Sequence, residues 1–274
     1  MKNILRTEWL KIKNYNAFIV ISLFFAIGVF ATNYIVYSFN KNVIGNVNTG
    51  GLVNSFSPYN FENTWQTTSY ATGWILILPA LLLIILVTNE FAYKTSRQNI
   101  IDGWSRTTFI DIKLFLALLF AIASSILVII TALGFGFASG SAFSLNSFSH
   151  VGFFFLKALS YNVIAVFIAV LVRRTGFAIG LYFIYMGAEN LISQLLDVLS
   201  FKIKESEKIN LGAMGDYLPM SSSDGLLSFP DNPLKSIAQS ALPTNYFWVV
   251  LSFAIFYLIL FTYLSRRKII KSDL

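Results

Sequence analysis

Apolar residues in this chain gather in continuous runs, not alternating stripes. A bilayer core about 30 Å thick needs about 20 mostly apolar helical residues. Six runs approach or reach that length. They extend from Ala17 to about Tyr37, about Ala71 to Thr88, about Ile112 to Phe135, about Gly152 to Val172, about Gly176 to Leu196 and about Tyr246 to Leu264. Barrel strands would alternate, so helix is the expected spanning form. Pro79 lies inside the second run and is expected to kink it. The first run is followed by Asn40-Lys41-Asn42, not by a small-residue cleavage site, so a retained helix is expected in place of a signal peptide.

The polar connections sort by charge. Lys2, Arg6, Lys11 and Lys13 precede the first run; Lys94, Arg97, Arg106 and Lys113 follow the second. Arg173 and Arg174 fill the turn between the fourth and fifth, and Arg266, Arg267, Lys268 and Lys271 follow the sixth. Six crossings put all of these on one face, which the positive-inside rule makes cytoplasmic, with both chain ends there. The opposite face carries Lys41 and then the last connection, residues 197–245. There Lys202, Lys204, Lys208 and Lys235 are outnumbered by Asp197, Glu205, Glu207, Asp216, Asp224 and Asp231. Composition agrees with a membrane solvent: 12% of residues are charged, half the share of an ordinary soluble domain, about 25%. The predicted fold class is an all-α integral membrane protein, one transmembrane domain over 1–274.

Two connections carry more than charge. Residues 1–14 predict an amphipathic interfacial helix, with Ile4, Leu5, Trp9 and Ile12 on one arc. Glu8 intrudes on that arc and Leu10 lies off it, and a plain positive flank is the competing reading. In the 89–111 connection, Thr95 and Gln98 have capping-box spacing and Gly103 can supply a left-handed helix end, which predicts a short helix from about Ser96 to Asp102. Thr108 and Asp111 repeat the capping pattern before the third run. Such a helix is either a handle for a partner or a loop that merely reverses the chain.

Glu8 and Lys11 form a Glu-x-x-Lys pair in the N-terminal helix. Glu90, Thr95, Arg97, Ser105, Arg106 and Lys113 stand in order after the second run, and a large outer segment precedes the last. On these features the whole chain resembles the ABC-2 class of ATP-binding-cassette transporter permeases, although Gly103-Trp104 stands where many members have Pro before the Ser-Arg pair. The resemblance implies a multi-pass permease subunit of an exporter in a bacterial inner membrane. It makes the 96–102 region a coupling helix docking into a separate cytoplasmic ABC ATPase, with Glu90, Thr95, Arg97, Gln98, Ile101, Ser105 and Arg106 as coupling residues. ATP and Mg would sit on that partner, and this chain would need no cofactor. It also implies a homodimer, or a heterodimer with a second permease, through the first and fifth helices. The alternative is a non-transporting polytopic assembly or sensor protein.

The residue inventory fits a missing partner. No Gly-rich loop runs into Lys-Ser/Thr, so the chain has no phosphate cradle of that kind. There is no cysteine, His150 is the sole histidine, and no Gly-x-Ser-x-Gly or His-Glu-x-x-His occurs, so an enzyme is not expected. Nor is a nucleic-acid partner.

Lys157 and Glu189 are the charges lying well inside the runs, and such charges are functional suspects. The Arg173-Arg174 turn makes the fourth and fifth helices a hairpin and sets the two at depths within about 3 Å. An intramembrane ion pair between them is expected, with Lys157 snorkelling outward as the other possibility. Asn190 and Gln194, one turn apart, are candidates for bonds to a neighbouring helix. Gly136-x-x-x-Gly140 and Gly176-x-x-x-Gly180 permit close helix approach, either within one subunit or, for Gly176 and Gly180, across a dimer.

Overall fold

The computed structural model describes residues 2–40, 57–207, 209–230 and 246–272. Lys41, Lys208, Asp231 and Lys235, and the side chains of Lys2, Ile4, Leu5, Arg6 and Glu207, lie outside the described residues. The rest folds into helices, and no strand occurs among the described residues. In chain order these are α1 (Lys2–Lys13), α2 (Asn16–Phe39), α3 (Phe61–Gly73), α4 (Ile77–Ala92), α5 (Thr95–Ile101) and α6 (Arg106–Ala138). Then come α7 (Ser149–Val172), α8 (Thr175–Glu207), a 3₁₀ turn at Met214–Tyr217, α9 (Ser221–Asp224) and α10 (Phe247–Ile270).

Four helices, α2, α6, α7 and α10, are long and apolar enough to cross a membrane, and the bent pair α3–α4 makes a fifth if it counts as one span. The 33-residue α8 is long enough, but Glu189, Asn190, Gln194 and Asp197 interrupt its apolar run. α7 is the central helix. Its most apolar stretch is 61% buried, against 17% for α2 and 11% for α10. Ala158, Ala165 and Ala169 are fully buried on it, and small residues of this kind let neighbouring helices approach.

The second run departs from expectation. Its helix breaks between Gly73 and Ile77, with a 46° bend, and Pro79 sits in the first turn of α4. A proline ring clashes with the carbonyl four residues before it, and its missing N–H is harmless in a first turn. The kink therefore falls upstream of Pro79, not at it. The stretch before the break, expected to be a polar outer connection, is a helix packed into the bundle. Two of its hydroxyls bond to backbone, Thr64 donating to Tyr59 O at 2.7 Å and Thr67 to Pro58 O at 2.6 Å, while those of Thr68 and Ser69 are buried with no partner among the described residues. Asn33 of α2 donates to Thr72 Oγ1 at 3.1 Å, and Tyr59 OH to Asn33 O at 2.9 Å. Gly136 lets this helix seat against α6, since a Cβ there would stand 2.6 Å from the Phe61 ring.

The expected capping boxes do not form. Lys94, in the left-handed region at φ 57°, precedes α5 without a side-chain cap. Thr95 donates instead to Glu90 O at 3.3 Å and Gln98 to Asp102 Oδ1 at 3.3 Å. Ser105, not Thr108, caps α6, accepting from the Thr108 N–H at 3.0 Å. Gly103 does take the left-handed conformation, at φ 95°. The Trp104 N–H reaches Asn99 O and the Gly103 N–H reaches Ile100 O, both at 3.0 Å, which is the Schellman pattern.

Candidate functional site

The basic connections converge on one end of the bundle. Arg106, at the start of α6, donates to Ile270 O at 3.1 Å and Ser272 O at 2.9 Å, so it neutralises the carbonyl end of α10. Arg266 pairs with Asp111 at 2.7 Å. Arg173, left-handed at φ 58°, lies 5.2 Å over the Phe91 ring. The first described side chains of α1 reach the same end, so residues near both chain termini meet there.

At its centre is a buried four-charge cluster. Lys113 of α6 is 2% exposed and bonds both Glu8 of α1 and Glu90 of α4, the latter at 2.7 Å. Lys11 lies 2.9 Å from Glu8 and 3.5 Å from Glu90. Burial alone would raise the Glu8 carboxyl, but the charge and hydrogen bond of Lys113, with those of Lys11, hold it below its ordinary value. Burial would likewise lower Lys11, and the two glutamates hold it above its ordinary value. Two carboxylates and two ammoniums thus balance in a space that would expel any one of them alone. The cluster borders a cavity of about 190 Å³ lined also by Tyr15 and Asn89, while Glu90 Oε2 is buried with no hydrogen bond among the described residues.

This arrangement accounts for the imperfect arc of α1. Glu8 and Ile12 face inward, 2% and 4% exposed, while Trp9 and Leu10 are more than half exposed. The acid that breaks the apolar arc is the residue that docks the helix.

Four consecutive residues closing α4 reach different elements. Thr88 shares a 2.8 Å bond with Thr175 of α8. Asn89 donates to Tyr15 OH, between α1 and α2, at 2.8 Å. Glu90 holds Lys113 and Lys11, and the Phe91 ring packs edge-on against Phe109 of α6 at 5.9 Å. α5 follows this hub directly. Its Arg97, Gln98 and Ile101 point outward, and Ile101 is 78% exposed. Of the sequence-predicted coupling residues, Glu90 and Thr95 therefore belong to the buried hub. Arg97, Gln98 and Ile101 form an open face, and Ser105 and Arg106 secure the start of α6.

The far end holds a second polar site. The expected Lys157–Glu189 pair does not form there. Lys157 lies 3.1 Å from Asp224 Oδ1, and Tyr161 OH donates to both Asp224 oxygens at 3.0 Å. Gly73 leaves room for the ammonium, since a Cβ there would stand 3.0 Å from Nζ. Glu189 Oε1 instead accepts the N–H groups of Met220 and Ser221. The segment after α8 folds back and supplies a competing acid, Asp224. Asp224 and Tyr161 carry no sequence signal beyond a charge and a ring among Ser, Gly and Leu. Asn190 and Gln194 bond each other at 2.6 Å on an exposed face.

Among the described residues nothing packs on Gly176 or Gly180: no heavy atom lies within 4 Å of a Cβ built at either. They open an apolar groove of about 470 Å³ with Val172, Phe177, Leu181 and Ile184. Compared with known proteins, the chain matches no family model and no curated protein.

Proposed function

We propose that this chain is the membrane-spanning subunit of an ATP-driven transporter of the ABC-2 type, an exporter whose ATPase is a separate cytoplasmic polypeptide. One observation carries the reading. A short helix with an open face, α5, is joined to a hub that grips α1, the α1–α2 link, α6 and α8 at once. Force delivered to α5 reaches most of the bundle through that hub.

The topology would take six passes, α2, α3–α4, α6, α7, α8 and α10, with the basic end cytoplasmic by the positive-inside rule. α8 would count as the sixth span because its polar residues face a cavity or a partner. The partner ATPase would bind α5 through Arg97, Gln98 and Ile101. Its closure on ATP would move α4 and α6 together and tilt the spans about a central path. Such coupling needs contacts that differ between the two states, and a charge cluster beside a cavity can rearrange where an apolar core would not. Pairing of two subunits would cover the α8 groove.

The test is affinity purification from native membranes in mild detergent. An ABC ATPase is expected to co-elute, with recovery reduced about tenfold by Arg97→Glu or Ile101→Asp, while the exposed sites leave stability within about 0.5 kcal/mol. Recovery unchanged by both substitutions would overturn the assignment of α5. Absence of any ATPase would favour the non-transporting assembly or sensor protein.

A further inference from the structure

Arg106 ties the end of α10 to the segment that follows α5. Its guanidinium reaches Ile270 O and Ser272 O, and Arg266 pairs with Asp111 of the same helix as Arg106. Asp102–Ser105 are all that separates α5 from Arg106. Two elements far apart in sequence are thus held beside one another. The last turns of α10 divide by face. Ser265 and Ile269 are fully buried. Arg267, Ile270 and Lys271 have the i, i+3, i+4 spacing of one helix face, and all three are exposed, with Lys268 beside them.

Cations that flank a membrane helix ordinarily serve lipid headgroups, so their depth decides their use. The apolar run of α10 closes at about Leu264, and Lys271 lies seven residues beyond it. At 1.5 Å per residue that is about 10 Å, whereas the headgroup layer is about 5–7 Å deep on each side. Lys268 reaches the outer edge of that layer, and Ile270 and Lys271 pass it into water. Arg106 likewise stands six residues before Ile112, where the third apolar run opens, so α5 starts from the same level. A stable protein contact takes about 20–30 residues a side, and α5 has seven. A partner seated on Arg97 and Ile101 must reach further, and the end of α10 is the neighbour that Arg106 holds there. The joint surface sets Arg97, Arg267, Lys268 and Lys271 against one exposed acid, Asp102, among the described residues.

We propose that α5 and the end of α10 form one docking surface for an acidic face of the cytoplasmic ATPase, with Arg267, Lys268 and Lys271 meeting carboxylates of the partner. The proposal rests on the reading of α5 as the ATPase contact. It adds a second element to that contact and a charge sign to the partner.

Arg267, Lys268 and Lys271 are changed together to Gln, which leaves Arg106 and Arg266 to hold the two helices. The ATPase recovered from native membranes in mild detergent is then quantified at about 0.1 M and about 1 M salt, between which the reach of a charge shrinks from about 10 Å to about 3 Å. Recovery with the unaltered chain is expected to fall about tenfold at high salt. The triple variant is expected to lose about tenfold at low salt and little more at high salt, since exposed interface charges set the salt dependence. A photo-crosslinker on Lys271→Cys is expected to label the ATPase, and it carries the test if the triple variant fails to insert. Recovery reduced by Arg97→Glu but unchanged by the triple variant, or Lys271→Cys adducts with lipid alone, would overturn the joint surface and leave the assignment of α5 standing. Recovery of no ATPase with the unaltered chain would overturn that assignment and the joint surface with it.

Discussion

Lys113 is held by two carboxylates from two other helices, so its removal leaves Glu8 and Glu90 with Lys11 alone. Breaking such a buried arrangement costs about 3–5 kcal/mol. Lys113→Met should lower the thermal midpoint sharply, and Glu8→Gln added to it should recover part of the loss. A double-mutant cycle by thermal unfolding measures this, and simple additivity would show that the two charges do not interact. Asp216 is a second lever. Burial, then the charges of Asp197 and Asp224, raise it from the ordinary 3.8 to about 7. An acid raised in the folded state binds more protons there than when unfolded, so its contribution to stability falls as pH rises from about 4 to 7 and is flat above. The thermal midpoint should decline across that window, and Asp216→Asn should flatten the decline. Neither lever was fully legible in the sequence. Glu8 signalled itself as an acid on an apolar arc and as half of a Glu-x-x-Lys pair, neither of which names Lys113 as its partner, and Asp216 had no signal, because its neighbours are brought in from α8 and α9 by the fold.

α5 is punctuated by backbone geometry, not by side-chain caps. Gly103 takes φ 95° with open space around it, so a methyl group there meets no clash, only an unfavourable conformation. Gly103→Ala should therefore loosen the end of α5 by about 1 kcal/mol and weaken ATPase recovery, with unfolding otherwise nearly unchanged. Hydrogen exchange at Asn99–Asp102 amides would report the local opening, and unaltered protection there would refute the account. The short helix and its glycine stop were readable because φ freedom is a property of one residue. The capping boxes were misread because Ser105 and the Glu90 carbonyl compete for the same groups, which spacing alone cannot weigh. α3 was missed as a bundle helix for a related reason: a Thr-rich stretch shows no apolar run, and only the fold reveals the Thr64 and Thr67 hydroxyls bonding to nearby carbonyls.

At the scale of the molecule, long apolar runs and the sorting of Lys and Arg made the all-helical architecture legible, since both depend on composition over many residues. The partners of intramembrane charges did not, because Lys157 is answered by Asp224 from a segment that returns over the bundle. The vacant glycine face of α8 predicts pairing of subunits. Gly180→Phe should fill the groove and shift the protein to monomers in light scattering, without loss of thermal stability, because among the described residues no atom lies within 4 Å of a Cβ there. The natural absence of cysteine allows the most direct test. A photo-crosslinker is attached to the single thiol of Ile101→Cys and irradiated in inverted native membranes. The account predicts one major adduct, with an ABC ATPase, whose yield changes with ATP. Adducts with lipid alone, or with no nucleotide-binding protein, would contradict it.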